Sequence, residues 1–356
     1  MLTFSASRES FCQMIAGASQ GLSSRPQNPV HAGMLLATSG TGKLYCTASD
    51  GDVTFSSSCD AAITGSESII LPGGILREMS RFLPGDIVEL ECTATTAVIT
   101  CGKSRFTLSS IPGEDYPSWP SPPEALGKLP AEDFISAVKI VSAAAKKDHP
   151  IQRGMRLAIK DDHLQMTCTD GSRMAYASLP LARTLLTPGD PVLAPAAVLE
   201  RFSRVAEGEV SAGWEGNLLG LSCDDLEMSA PQVSGEFPKT WTMILKDHEP
   251  VMTVNVPELS QMIKMAAVTV GDKGAVTLEF SDKAAGYLSA GSPGYLGVLE
   301  TKGSLEPRIL DFTPQYLLDG LHGEEVSLSW TGRALMIEGD GYRYLCQPRR
   351  KLTLGT

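Results

Sequence analysis

The sequence predicts an α+β chain of three similar domains, each a set of short strands covered on one face by short helices. Three observations carry that reading. Prolines that open short helical patterns recur in one frame. Leu71-Pro72-Gly73-Gly74-Ile75-Leu76, Ala194-Pro195-Ala196-Ala197-Val198-Leu199 and Thr313-Pro314-Gln315-Tyr316-Leu317-Leu318 place their prolines 123 and 119 residues apart. Glu114-Asp115-Tyr116-Pro117 matches Gly235-Glu236-Phe237-Pro238 at a spacing of 121, and Thr47-Ala48-Ser49-Asp50-Gly51 matches Thr167-Cys168-Thr169-Asp170-Gly171 at 120. Repetition at a fixed period signals a repeated architecture. It divides the 356 residues into domains 1–124, 125–246 and 247–356.

Each domain opens on an amphipathic helix. Phe11, Met14, Ile15 and Ala18 fall at i, i+3, i+4 and i+7. The second stripe is Phe134, Val138, Val141 and Ala145, opened by Pro130; the third is Leu259, Met262, Ile263 and Ala266, opened by Pro257. Strand patterns follow at 33–38, 43–47, 154–159, 164–169 and 275–280. After the proline-opened second helix comes another strand group, as at 87–92, 97–101 and 105–109. Tyr116-Pro117-Ser118-Trp119-Pro120-Ser121-Pro122-Pro123 continues neither a helix nor a central strand and closes the first domain. The second boundary falls near Lys246-Asp247-His248-Glu249-Pro250.

Composition narrows the class. Hydrophobic residues at 42% and charged residues at 20% support a packed core rather than disorder. Thirty Lys+Arg against 41 Asp+Glu give a net charge of −11, which argues against a general nucleic-acid coat but not against a basic face on an acidic protein. No run approaches the roughly 20 apolar residues of a membrane span. Met1-Leu2-Thr3-Phe4 lacks the basic and apolar segments of a secretory signal, so a soluble, cytoplasmic protein is expected. Eight cysteines without a C-x-x-C pair are expected to be buried free thiols. Five scattered histidines offer no metal spacing, and no cofactor is expected.

Basic residues keep register across the repeats. Lys139 and Lys146 lie more than about 100° from the apolar stripe of their helix, and Lys264 holds the place of Lys139 in the third domain. Arg81 and Arg204 each stand nine residues past the helix-opening proline. Solvated helix faces use the same residues, and charge alone does not separate the two roles.

Catalytic motifs fail on context. Gly17-Ala18-Ser19-Gln20-Gly21 satisfies G-x-S-x-G, but a nucleophile elbow needs a preceding strand, and here an amphipathic helix precedes it. Gly40-Thr41-Gly42-Lys43 lacks the first glycine and the Ser/Thr of a phosphate loop and is expected to be a hairpin turn. Asp50-Gly51-Asp52 and Asp161-Asp162 are expected to be turns rather than metal ligands. A serine hydrolase using Ser19 is the alternative from another class.

The ordered landmarks resemble the bacterial sliding clamp family, the beta subunit of DNA polymerase III. They are Arg25-Pro26 before His31-Ala32-Gly33-Met34-Leu35-Leu36; Gly102-Lys103-Ser104-Arg105-Phe106-Thr107-Leu108-Ser109; Asp115-Tyr116-Pro117; and Gly154-Met155. Thr169-Asp170-Gly171-Ser172-Arg173-Met174-Ala175, Gly235-Glu236-Phe237-Pro238 and Tyr344-Leu345-Cys346-Gln347-Pro348-Arg349-Arg350 complete the set, which spans nearly the whole chain.

The resemblance implies a non-catalytic processivity factor. Two head-to-tail subunits would close a ring around duplex DNA, with helices lining the inner face and antiparallel sheets outside. It would tether the replicative polymerase, the clamp loader and other proteins bearing clamp-binding peptides. Arg25 matches a family DNA-contact position; Arg81, Lys139, Lys146, Arg204 and Lys264 join it from repeat geometry. Phe106 and Leu108 match one side of the family's dimer edge, and Val268 and Thr269 the other. The resemblance implies a partner-peptide pocket between the second and third domains, at Thr169, Gly171, Ser172, Arg173, Met174, Pro238, Met243, Thr313, Tyr316, Pro348 and Arg350. Gln152, Ser172, Met174, Gln347 and Arg349 depart from the family pattern there, which implies altered peptide preferences, with Arg349 and Arg350 available to acidic flanks. A second, specialised or phage-encoded clamp would carry such an altered pocket.

Overall fold

The structure, a computed structural model, describes residues 2–23, 25–38, 42–93, 95–146, 148–185, 189–249, 251–271, 274–281, 287–292, 294–303 and 305–349. The chain folds into two compact units, one of residues 1–135 and 181–232 and the other of residues 136–180 and 233–356.

In the first unit, α1 (Arg8–Ala18) starts where the Ser7 hydroxyl accepts the Ser10 N–H at 3.1 Å. Its stripe of Phe11, Met14, Ile15 and Ala18 is buried against Leu2, Phe4, Leu76, Leu90 and Ile99. Burying a side chain such as Phe11 contributes about 2–3 kcal/mol before entropy is counted. α2 (Gly73–Ser80), the start of α3 (Ala131–Ser142), and α4 (Ala196–Ser203) belong to the same unit. Pro72 and Pro195 end a strand and cap the following helix, their fixed φ near −60° serving both. One antiparallel sheet orders Ala62–Thr64, Thr3–Ser7, Ile87–Cys92, Thr96–Cys101 and Ser104–Ser109. A ten-stranded sheet brings Gly33–Thr38, Lys43–Ser49 and Thr54–Asp60 against Leu226–Pro231, Leu218–Cys223 and Glu209–Glu215. The pairing of Thr54–Asp60 with Leu226–Pro231, Ser57 opposite Leu226, joins the first repeat to the second without a break.

In the second unit, α5 (Val256–Val270) is capped by the Asn255 side chain, which accepts the Glu258 N–H at 3.0 Å, and it buries Leu259, Met262, Ile263 and Ala266. Gly271 ends it at a φ of +66°, a conformation that favours glycine. α6 (Pro314–Leu318) is a single short turn with its proline at the first helical position. One sheet runs through Gly154–Lys160, His163–Thr169, Arg173–Pro180, Tyr342–Cys346, Leu335–Gly339, Glu325–Trp330 and Val251–Asn255. Arg173–Pro180 pairs with Tyr342–Cys346, Met174 opposite Leu345, and joins the second repeat to the third. A four-stranded sheet orders Tyr295–Glu300, Tyr287–Ser292, Val276–Ser281 and Arg308–Phe312.

The α+β class and the strands read from alternation are observed. One helix is shorter than its pattern. α3 ends at Ser142, and Ala145 is half-buried in the turn that follows, its N–H donating to the Ser142 carbonyl at 2.9 Å. Three-residue winding replaces the helix there, so the fourth member of the stripe sits off it. Seven of the eight cysteines are buried and Cys12 is half-buried.

Candidate functional site

Asp170 and Gly171 build a tight turn that aims the next strand. The Asp170 carboxylate accepts the N–H groups of Ser172 and Arg173 at 2.9 Å each, and Gly171 has a φ of +90°. Arg173 is held on three sides. Its Nε donates to Asp170 at 2.9 Å, its Nη1 donates to Asp319, and its guanidinium lies 4.1 Å over the Tyr316 ring. Beside it opens a cavity of about 380 Å³. Met174, Ala334 and Leu345 form its apolar floor, backed by Ile244, Met336 and the partly buried Trp241. The 3-10 helix Lys239–Leu245 brings Thr240 and the exposed Met243 to its lip. Lys246, His248, Arg333 and Gln347 complete the rim.

Seven of the expected pocket residues line this cavity: Thr169, Gly171, Ser172, Arg173, Met174, Met243 and Gln347. The others do not line it. Gln152 reaches toward Gly171 from behind the turn. Pro238 caps the 3-10 helix, Thr313 caps α6, and Tyr316 is covered by Arg173. Pro348 is half-buried past the strand end, and the Arg349 N–H donates to the Asp311 carbonyl at 2.7 Å. Arg350 lies outside the described residues. Gln347 keeps its side chain in water while its N–H donates to the Ser172 carbonyl at 2.9 Å.

Two sheet ends carry exposed apolar side chains. Ser104–Ser109 is an end strand of its sheet. Phe106 and Leu108 pack partly on the core, and Phe106 shares a shallow apolar groove with Ile75, Met79 and Phe82, the last 77% exposed. In the second unit Tyr295–Glu300 is an end strand, with Leu296 70% exposed and Val298 also open to solvent. Val268, 83% exposed, and Thr269 lie on α5, which packs against that sheet. The Thr269 hydroxyl bonds to the Ala266 carbonyl at 2.8 Å and to the Ser292 hydroxyl.

All six expected DNA-contact residues are exposed. Arg25 stands in the loop after α1, and Arg81 and Arg204 are the C-caps of α2 and α4. Lys139 lies in the last turn of α3, Lys146 beyond it, and Lys264 on α5. Arg81 is paired with Glu78 at 3.1 Å.

The enzyme motifs have other roles. Ser19 caps the C-terminus of α1, its hydroxyl donating to the Ala16 carbonyl at 2.8 Å, with a helix rather than a strand before it. Gly42 precedes Lys43 in a hairpin between Gly33–Thr38 and Lys43–Ser49, while Gly40 and Thr41 lie outside the described residues. Asp161 and Asp162 take left-handed turn conformations, and the Asp50 carboxylate accepts the N–H groups of Asp52 and Val53. Among the described residues, no group of three His, Cys, Asp or Glu is placed to hold a metal, and no helix is long and apolar enough to cross a membrane.

Comparison with known proteins meets these observations. The family model described as DNA polymerase III beta subunit, N-terminal domain, matches residues 2–120. A beta sliding clamp of Streptomyces coelicolor is 28% identical, the match covering 96% of this chain and 98% of that protein. Residues 2–120 thus match the DNA polymerase III beta subunit N-terminal domain, and nearly the whole chain is similar to beta sliding clamps. The beta sliding clamp homolog GriR of Streptomyces muensis is 25% identical, the match covering 98% of this chain and 99% of that protein. The same fold is seen in the crystal structure of the Bacillus subtilis clamp, with a TM-score of 0.86 and 22% identity over 98% of this chain and 99% of that one. The Pseudomonas aeruginosa clamp bound to griselimycin gives a TM-score of 0.85 at 21% identity, again covering 98% and 99%.

Several residues of the site escape the sequence reading. Lys246 and His248 read in the sequence only as part of a domain boundary, and Thr331, Arg333 and Ala334 lie on a turn whose place at the cavity follows only from the pairing of Leu335–Gly339 with Tyr342–Cys346. Ile75, an apolar residue off the buried stripe of α2, and Phe82, just past its C-cap, carry a visible signal.

Proposed function

We propose that this chain is a DNA sliding clamp without catalysis of its own. Two copies, each of three repeats (1–124, 125–246 and 247–356), close head to tail around duplex DNA and tether a replicative polymerase and other proteins carrying clamp-binding peptides. The observation that carries this is the pattern of strand pairing. At both internal junctions an end strand of one repeat pairs with the last strand of the next: Thr54–Asp60 with Leu226–Pro231, and Arg173–Pro180 with Tyr342–Cys346. By repeat equivalence, the remaining strands of these two kinds are Tyr295–Glu300 and Ser104–Ser109, both at sheet ends and both beside exposed apolar residues. A second copy completes the series by the same antiparallel addition. Phe106, Leu108, Val268 and Thr269 belong to that junction, joined by Ile75, Phe82, Leu296 and Val298.

The DNA contacts assigned to Arg25, Arg81, Lys139, Lys146, Arg204 and Lys264 are to phosphates, which hold a duplex without reading its bases. A net charge of −11 keeps the rest of the surface from competing for DNA. A closed ring retains DNA topologically, so weak contacts suffice. The setting is the cytoplasm, with DNA, polymerase and clamp loader as partners. The cavity beside Arg173 is the partner-peptide pocket. Its polar rim supports a second reading within the same class, a specialised or phage-encoded clamp with altered peptide preferences.

Primer extension on singly primed circular DNA, with a cognate polymerase and loader and with excess trap DNA, tests the function. The expected result is long products only when this protein is present. Product lengths unchanged by the protein would refute it.

A further inference from the structure

The peptide pocket carries a charge opposite to that of the protein as a whole. Its described lining includes Arg173, Lys246, Arg333 and His248 and no carboxylate, although the chain has a net charge of −11. Arg173 is already matched by Asp170 and Asp319. Asp247, next in sequence to Lys246, is bound by Arg343 at 2.7 Å. Lys246 ends the 3-10 helix Lys239–Leu245, and Arg333 stands on a turn fixed by Gly332 at a φ of +86° and by the Thr331 hydroxyl, which accepts the Ala334 N–H at 3.0 Å. Both are exposed and aimed at the rim of a cavity whose floor is apolar.

Resting on the peptide-docking reading above, we propose that this pocket selects peptides with an acidic residue beside their apolar anchors, and that Lys246 and Arg333 are the residues that read the acid. Charge complementarity decides the occupant. An apolar segment satisfies Met174, Ala334 and Leu345, while the cations at the rim gain only from a carboxylate. This places the specificity on Lys246 and Arg333 rather than on Arg349, which does not line the cavity. Exposed ion pairs are individually weak, so two of them give a preference of about tenfold at low salt, and screening reduces it as salt rises.

The test is calorimetry at fixed pH with two nine-residue peptides sharing leucine anchors, one flanked by Asp and Glu and the other by Asn and Gln. Each is titrated into the full-length wild type and a Lys246→Ser/Arg333→Ser variant at about 50 and about 300 mM salt. The wild type is expected to bind the acidic peptide about tenfold more tightly at low salt, with most of that advantage lost at high salt. The variant, its fold checked by circular dichroism, is expected to bind both peptides equally. Equal binding of both peptides by the wild type overturns the proposal while leaving the docking reading intact. A preference that survives in the variant overturns the assignment to Lys246 and Arg333. Failure of both peptides to bind the wild type overturns the docking reading together with the proposal.

Discussion

Arg173 is the best-supported cation of the pocket. It has a mostly buried guanidinium between two mostly buried carboxylates, Asp170 and Asp319, with the Tyr316 ring beneath. Removing one member of such a set leaves the others desolvated and unmatched, which costs about 3–5 kcal/mol. Arg173→Ala is expected to lower unfolding stability by about 3 kcal/mol in urea melts, and Arg173→Lys, which keeps the charge without the fork, by less. A loss under about 1 kcal/mol for Arg173→Ala would show that the network is not structural. The tyrosines give a pH signature. Tyr342 is buried, its hydroxyl donating to the Gly320 carbonyl at 2.9 Å, and burial pushes it up to about 12; burial lifts Tyr116 to about 12 likewise. An unfolded tyrosine ionises near pH 10. Between that value and about 12 the unfolded chain therefore binds fewer protons than the folded one, and stability falls as pH rises through the window. Below pH 10 neither state is ionised and the effect is absent. Tyr342→Phe is expected to flatten the decline measured by chemical denaturation from pH 9 to 12. An unchanged slope would contradict this assignment.

At the scale of elements, the helices were legible because a buried face repeats every 3.6 residues. Phe11, Met14, Ile15 and Ala18 needed no tertiary information, nor did Leu259, Met262, Ile263 and Ala266. The prolines at 72, 195 and 314 marked the second helices for the same local reason. What sequence did not reveal was the partner of each strand end. Leu296 and Val298 alternate with period 2 and are exposed, so they look like any half-buried strand until the sheet order leaves Tyr295–Glu300 at an end. The pocket was legible in its turn, Thr169 to Met174, because turn chemistry is local. It was illegible at Arg333, which reaches the cavity through pairing of distant strands. The sheet ends carry their own prediction. Phe106→Ala is expected to weaken dimerisation about 30-fold, about 2 kcal/mol, and Leu296→Asp to leave monomers at micromolar concentration. Sedimentation equilibrium measures both, and a dimer of undiminished affinity in Leu296→Asp would exclude this strand from the interface.

At the scale of the whole molecule, the proposed hold on DNA requires an acidic chain to separate its charges. Exposed basic residues recur at equivalent places on the helices, as at Arg81 and Arg204, the C-caps of α2 and α4. Replacing Arg25, Lys139 and Lys146 with serine is expected to reduce the slope of log affinity against log salt by about 0.9 for each phosphate no longer neutralised. Affinities for unrelated duplex sequences are expected to fall together, since phosphates carry no base identity. A full wild-type slope in the triple variant would place the duplex elsewhere. Encirclement itself is tested most directly by retention. The protein is loaded onto a nicked circular plasmid, passed through a sizing column in high salt, and then the DNA is cut once. The expected result is co-elution with the circle, at a salt concentration that abolishes direct binding, and release within minutes of linearisation. Equal retention on circular and linear DNA, or none on the circle after loading, would contradict a closed ring around the duplex.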